Sequence, residues 1–183
     1  IDCGTGSFTG DVDIADKIVH TGDTNTAIRF PAADTFTVET SGSESLRVDS
    51  SQRLLVGLTA SVDSNSALQV EGRNTITAIR YSATTGNAGS KLELSRSASD
   101  SVGTTAAVSA TDELGEVRFR GASTGSAFNT GASINAVVAS GTISASSFPT
   151  NLLFKTTSDG SASATERLRI TAAGDVRIGT TNA

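Results

Sequence analysis

Three sets of residues in this 183-residue chain are of types that could do chemistry. Asp112, Glu113 and Glu116 form its densest carboxylate cluster. Two carboxyl groups at a set separation cleave glycosidic bonds, one donating a proton and the other acting as base or nucleophile. His20 is the single histidine, so any Ser-His-Asp triad would have to use it. Cys3 is the single cysteine, which excludes an intrachain disulfide and leaves a free thiol, an interchain bridge or a metal ligand. One His and one Cys cannot complete a zinc site within one chain, although a threefold axis could bring three copies of His20 together. Gly121-Ala-Ser-Thr-Gly125 is not followed by the Gly-Lys-Ser/Thr of a phosphate loop and reads as an ordinary loop.

None of these sets carries the rest of an active site. Sugar-cleaving sites stack the ring on aromatic platforms, and the chain has no Trp, one Tyr (Tyr81) and seven Phe. Alternation places Glu116 on the polar side of a strand that continues through Val117 and Phe119, so the cluster reads as a solvated strand edge. His20 reads as a polar residue at a strand end. The expectation is a protein that is not an enzyme and needs no cofactor or metal, with no catalytic residue assigned and any receptor-binding residues unknown.

The elements that would position these residues are strands. Val, Ile, Leu, Phe and Tyr make up about a quarter of the chain, while Ser, Thr, Ala and Gly supply about half. The formal net charge is -5, and the basic residues are scattered singly, which argues against a nucleic-acid partner and against a basic membrane-binding surface. No apolar run is long enough to span a membrane. No window shows helical spacing. Short period-2 runs recur instead, at Ala27–Phe30, Phe36–Glu39, Leu46–Val48, Leu68–Val70, Leu92–Leu94, Val117–Phe119, Leu168–Ile170 and Val176–Ile178. Ile134–Val138 and Leu152–Phe154 read as more buried strands. Turn residues lie between the runs, as in His20–Asn25, Thr84–Gly89 and Ser158–Ser161, and Pro31 and Pro149 sit at run edges. The pattern predicts an all-β fold of short antiparallel strands and hairpins. Leu46, Val48, Val56, Leu168, Ile170, Val176 and Ile178 should face a core. Arg29, Arg47, Arg118, Arg169 and Arg177 should lie on the other face, either as solvated charges that contribute little or, in a trimer, within reach of Glu44, Glu166 or Asp175 of a neighbouring chain.

One segment recurs. Glu44-Ser-Leu-Arg-Val48 leading to Leu54-Leu-Val-Gly-Leu-Thr59 matches Glu166-Arg-Leu-Arg-Ile170 leading to Val176-Arg-Ile-Gly-Thr-Thr181, without gaps, at an offset of 166 − 44 = 122 residues. Two strands and a turn closing on the same glycine occur twice. The expected organisation is an entry module over 1–57, a connector over 58–65, a larger β module over 66–165 and a repeat of the closing hairpin over 166–183. The larger module carries long polar loops at 95–112 and 121–133, which would make any receptor contact. Such sparse large side chains would leave a monomer marginal, because ordering each residue's backbone costs about 1–2 kcal/mol. Threefold assembly would cover the apolar faces and close sheet edges.

Ala15-Asp-Lys-Ile-Val-His-Thr-Gly-Asp-Thr-Asn-Thr-Ala-Ile-Arg-Phe-Pro-Ala-Ala-Asp34 resembles tail-fibre proteins of cyanophages and other marine phages. Glu166–Thr181 resembles a recurring repeat of phage tail fibres, and Asp112–Gly121 is similar to a motif that precedes that repeat. The resemblance implies a parallel homotrimeric fibre of interwoven β-structure, commonly matured by removal of a C-terminal chaperone. It implies a virion tail location outside the cell, contact with other virion tail proteins, and a role in host attachment through a surface glycan or protein receptor. A virion-associated glycan depolymerase and a non-viral trimeric surface adhesin are the alternatives. A start at Ile1 with no Met anywhere is expected of a piece of a longer polypeptide.

Overall fold

The computed structural model describes residues 9–72, 76–79, 89–124 and 128–179. Among the described residues are eleven strands and no helix. A six-stranded sheet contains β1 (Lys17–His20), β2 (Asp23–Ala32), β3 (Thr35–Thr40), β4 (Ser43–Val48), β5 (Leu54–Val56) and β6 (Leu68–Val70), neighbours in chain order. A five-stranded sheet contains β7 (Glu113–Ala122), β8 (Phe128–Val138), β9 (Thr150–Thr156), β10 (Thr165–Ile170) and β11 (Val176–Ile178), again in sequence. All pairs are antiparallel except β5 with β6, which run parallel.

The chain divides between Ile79 and Arg80 into two compact units, one around each sheet. The segment 58–65, expected as a connector, lies inside the first unit, and β6 belongs there too. The closing hairpin at 165–178 is the edge of the second unit's sheet. Two expectations of local structure fail. Leu92–Leu94 forms no strand. It runs beside β7, where a Cβ on Gly115 would come within 2.6 Å of the Leu94 Cβ. The supposed loop at 121–133 is largely strand, since β7 continues to Ala122 and β8 starts at Phe128.

Turn chemistry sets the hairpins. Ser41 and Gly42 have φ of 52° and 73° and join Thr40 to its partner Ser43. Two consecutive positive φ values twist the turn in the sense that a two-residue hairpin needs. Pro31 falls where the β2–β3 register shifts, so its missing N–H breaks no regular ladder.

Cross-strand register lines side chains into rows. In the first sheet Ile18, Ile28, Val38, Leu46, Val56 and Val70 face one another across all six strands. Phe36, Val48, Leu54 and Leu68 form a second row on the same side. In the second sheet the rows are Val117, Ile134, Phe154, Leu168 and Ile178, and Ala136, Leu152, Ile170 and Val176. The opposite faces carry Lys17, Arg29, Thr37, Arg47, Leu55 and Gln69 in the first sheet, and Glu116, Asn135, Leu153, Arg169 and Arg177 in the second.

Burial within the chain departs from the sequence expectation on most strands. Leu55, Thr37 and Gln69 are buried, as are Asn135, Ser133 and Leu153, and these lie on the polar faces, whereas the buried Val138 is in phase with the apolar row of β8. Val176 and Ile178, expected in a core, are 61% and 74% exposed. Ile170 is exposed, and Leu46, Val48, Val56 and Leu168 are only half-buried. The physical reason is length. Arg side chains fold down over the polar faces and are fixed by carboxylates of their own chain, so their methylene stems cover the neighbouring backbone. The shorter Val, Ile and Leu on the other face cannot cover one another within one sheet.

The two repeated hairpins are superposable in register. Leu46 pairs with Val56 and Leu168 with Ile178; Val48 pairs with Leu54 and Ile170 with Val176. Gln52 and Gly174 take φ of 62° and 91° at matching turn positions. Gly57 and Gly179 have φ of 76° and 74° and donate to Ser45 and Arg167 carbonyls at 3.1 and 2.8 Å. The space around the two glycines differs: a Cβ on Gly57 would collide with the Glu71 carbonyl, whereas one on Gly179 would meet nothing within 4 Å. Gly179→Ala should therefore cost about 1–2 kcal/mol, the penalty of a left-handed L-residue. Gly57→Ala should cost clearly more. Denaturant midpoints of the two variants check this, and equal losses would contradict it.

Candidate functional site

The carboxylate cluster sits where the 95–112 loop enters β7. Asp112 accepts the Ser109 N–H at 2.9 Å and pairs with Arg96 at 3.1 Å. Glu113 accepts a hydrogen bond from the Asn135 amide at 2.8 Å. Glu116 pairs with Arg118 on the polar face. Burial pushes the Glu116 carboxyl up, but the nearby Ser133 hydroxyl, the Arg118 guanidinium that pairs with it and attraction to Lys155 outweigh it, leaving its pKa below the usual range. A glycosidase acid needs the opposite shift. All three carboxylates are committed to neighbours within the chain.

His20 closes β1 opposite Asp23 and is exposed. With Ile18, Val19, Thr26, Ala27, Ile28 and Val38 it lines a shallow, mostly apolar groove of about 240 Å³. Among the described residues no group of three or more His, Cys, Asp or Glu could hold a metal. Cys3 and Tyr81 lie outside the described residues, as does most of Thr84–Gly89. Gly121-Ala-Ser-Thr-Gly125 also spells Gly-x-Ser-x-Gly, a match that spacing alone offers. A nucleophile elbow requires a strand-to-helix turn. Here Gly121 and Ala122 are the last residues of β7, paired antiparallel with β8, so the motif begins inside a sheet strand.

The 95–112 loop is more ordered than a polar linker. The Ser97 hydroxyl accepts the Ser99 and Ala106 N–H groups at 3.1 and 3.0 Å, and the Ser99 hydroxyl accepts the Ser101 N–H at 3.1 Å. The turn Ser101–Thr104 carries Gly103 at φ 83° and holds Val102 fully in solvent. Val108 is buried, so the loop is anchored by an apolar residue that the sequence reading did not assign to a core.

The arginines find carboxylate partners within the chain itself. Arg47 grips Glu44 through two hydrogen bonds of 2.8 Å, and Arg169 grips Glu166 at 2.9 and 2.7 Å. Arg29 bridges Asp16 at 2.8 Å and Glu39 at 3.2 Å. Arg177 stands 3.8 Å from Asp175. The hydrogen bonds from Arg169 hold the Glu166 carboxyl below its ordinary range against the opposing effect of burial. At Asp49 burial acts upward but is outweighed by hydrogen bonds from Arg53 and from the Ser51 N–H. The polar faces are thus closed by each chain for itself. The surface left open for another molecule is the pair of apolar faces, on which Ile18, Phe30, Leu68, Phe119 and Ile178 are all exposed. Exposed apolar area of this continuity marks a contact surface.

Carboxylates with depressed folded pKa values stabilise the fold above the ordinary range and lose that contribution as pH falls through it. With ordinary values of 3.8 for Asp49 and 4.5 for Glu116 and Glu166, the melting temperature should stay level from pH 7 to about 5. It should fall below about pH 4.5. Glu166→Gln should flatten part of that fall, as a series of thermal melts would record; a protein most stable at pH 3 would contradict it.

No family model and no curated protein sequence matches the chain. Solved structures do. The carboxy-terminal domain of the bacteriophage T5 L-shaped tail fibre matches with a TM-score of 0.66 and 16% identity, over 89% of this chain and 75% of that one. The same domain with its intra-molecular chaperone domain matches with a TM-score of 0.65 and 15% identity, over 89% of this chain and 52% of that one. The likeness extends over most of both units, and the all-β architecture of this chain is that of a phage tail-fibre domain.

Proposed function

We propose that the chain is a structural segment of a virion tail fibre that assembles as a parallel homotrimer through its apolar faces and contributes to host attachment. The observation that carries the proposal is the set of unbroken apolar rows, Ile18 to Val70 and Val117 to Ile178, left open in a single chain. Fully burying one Val, Leu, Ile or Phe side chain contributes about 1.5–3 kcal/mol. Covering such rows therefore supplies what a chain with few large residues lacks. Two neighbouring chains cover them and leave the Arg–carboxylate faces outward. The likeness to the T5 fibre domain supports the fibre reading, and the sequence resemblance supports three as the copy number.

The depolymerase alternative finds no support at Asp112, Glu113 and Glu116. Each is held by a partner in its own chain, and Glu116 is shifted away from the range of a general acid. Host attachment is assigned to the loop at 95–112, which presents Val102 on a hydrogen-bonded turn. Threefold display multiplies weak single contacts.

Two experiments follow. Ile170→Asp, on the apolar face, should abolish assembly in sedimentation, whereas Arg169→Ala, on the polar face, should leave it largely intact; the reverse order would overturn the assignment of faces. Replacing residues 97–106 with a Gly-Ser linker should reduce host adsorption without changing assembly, and unchanged adsorption would remove the loop from the receptor site.

A further inference from the structure

The two repeated hairpins differ in what lies beside their second strand. In the first, β5 is flanked by β6. The Leu54 N–H donates to the Ala67 carbonyl at 2.7 Å, and the Val56 carbonyl accepts the Glu71 N–H at 2.9 Å. Leu54, Leu55 and Val56 align with Leu68, Gln69 and Val70 in parallel. In the second hairpin β11 occupies the position of β5, in the same register against its own partner, and no described strand lies on its outer side. Leu55, beside Gln69, is 0% exposed, and Leu54 is 37% exposed. The register equivalent of Leu54 is Val176, 61% exposed, and that of Val56 is Ile178, 74% exposed. Gly57 makes room for the Glu71 carbonyl, while the matching space at Gly179 contains no atom of the described chain within 4 Å.

We propose that the outer edge of β11 is a docking site for one further parallel strand, contributed by another module of the same build. The pattern is fixed by the occupied copy: an apolar residue opposite Val176, a hydrogen-bond acceptor opposite Arg177, and an apolar residue opposite Ile178, with a carbonyl oxygen coming to rest over Gly179. The acceptor follows from the one substitution that alters the edge chemically, Leu55 to Arg177. Arg177 is held by Asp175 only at 3.8 Å, so its guanidinium can serve a Gln or carboxylate in the arriving strand. The occupied copy also shows how such a strand is pre-shaped. The Gln69 amide oxygen accepts the Val62 N–H at 2.9 Å, and its nitrogen donates to the Asp63 and Ser66 carbonyls at 2.7 and 3.1 Å, bracing the chain that leads into β6. The edge would then be a joint through which successive modules continue one sheet. The inference goes beyond the fibre reading and does not depend on copy number, since it concerns backbone pairing at one strand.

The test extends the full chain after Ala183 with a copy of residues 62–72, which restores the spacing between Gly57 and Leu68. Tethering keeps the effective concentration high. Backbone hydrogen exchange is read by NMR. The Val176 N–H, equivalent to the Leu54 N–H, should exchange about tenfold more slowly than in the unextended chain, while the Arg169 amide, already inside the sheet, should not change and reports intact folding. A control extension with proline in place of the copied Gln69 and Glu71, the residues whose N–H groups face the docking edge, should give no protection. Arg177→Ala should bring the protection given by the native-pattern extension part of the way back toward the unextended chain. Equal exchange at Val176 with the native-pattern and proline extensions would overturn the docking site, and unchanged protection in Arg177→Ala would overturn the acceptor opposite Arg177.

Discussion

The structure depends on a division of labour between the two faces of each sheet. On one face, Thr37, Leu55, Asn135 and Leu153 are buried in rows that also carry arginines paired with carboxylates of the same chain. On the other, rows of Val, Ile, Leu and Phe run strand to strand, and most of their members are half-buried or exposed. The long, flexible Arg stem lets a single layer bury part of its own surface. The short branched side chains cannot do the same, so their contribution to stability waits for a second layer. Exposed ion pairs contribute little, and the bidentate Arg47–Glu44 and Arg169–Glu166 pairs act mainly by fixing where the stems lie. The apolar rows hold most of the unrealised stabilisation.

The same physics explains the repetition. The Glu44–Gly57 and Glu166–Gly179 hairpins keep the same register, the same left-handed turn position, the same intrastrand Glu–Arg clasp and the same terminal glycine, 122 residues apart. A unit that polishes its own polar face and leaves its apolar face open can be placed at the edge of either sheet without redesign. What distinguishes the copies is their neighbour, β6 in one case and open edge in the other.

Much of this was legible in the sequence. Alternation located seven of the strands through runs such as Ala27–Phe30 and Val117–Phe119, because period-2 patterning survives whichever face is buried, and the apolar runs Ile134–Val138 and Leu152–Phe154 located two more. The offset repeat foretold the matched hairpins. The sense of burial was not legible, because alternation separates two faces without saying which one a single chain covers. Leu92–Leu94 shows the other limit: its pattern is that of a strand, but a glycine at position 115 lets it rest beside β7 without joining the sheet. The stretch 121–133 was misread as loop because Gly, Ser and Thr supply turns and sheet alike, and only the pairing of Arg118 with Ser133 and Phe119 with Ala132 decides between them. For the site, the absence of aromatic platforms was readable at once, whereas the partners of Asp112, Glu113 and Glu116 come from residues as distant as Arg96 and Asn135 and no spacing rule announces them.

A chain built in this way is stable in proportion to how completely its apolar rows are covered, and its stability is tied to its concentration. The most direct measurement is the mass of the native, unmodified assembly by native mass spectrometry, over a dilution series with melting followed in parallel. The account predicts three chains that dissociate and unfold together. A folded monomer that melts cooperatively with its apolar rows in water, or a stable dimer, would contradict it.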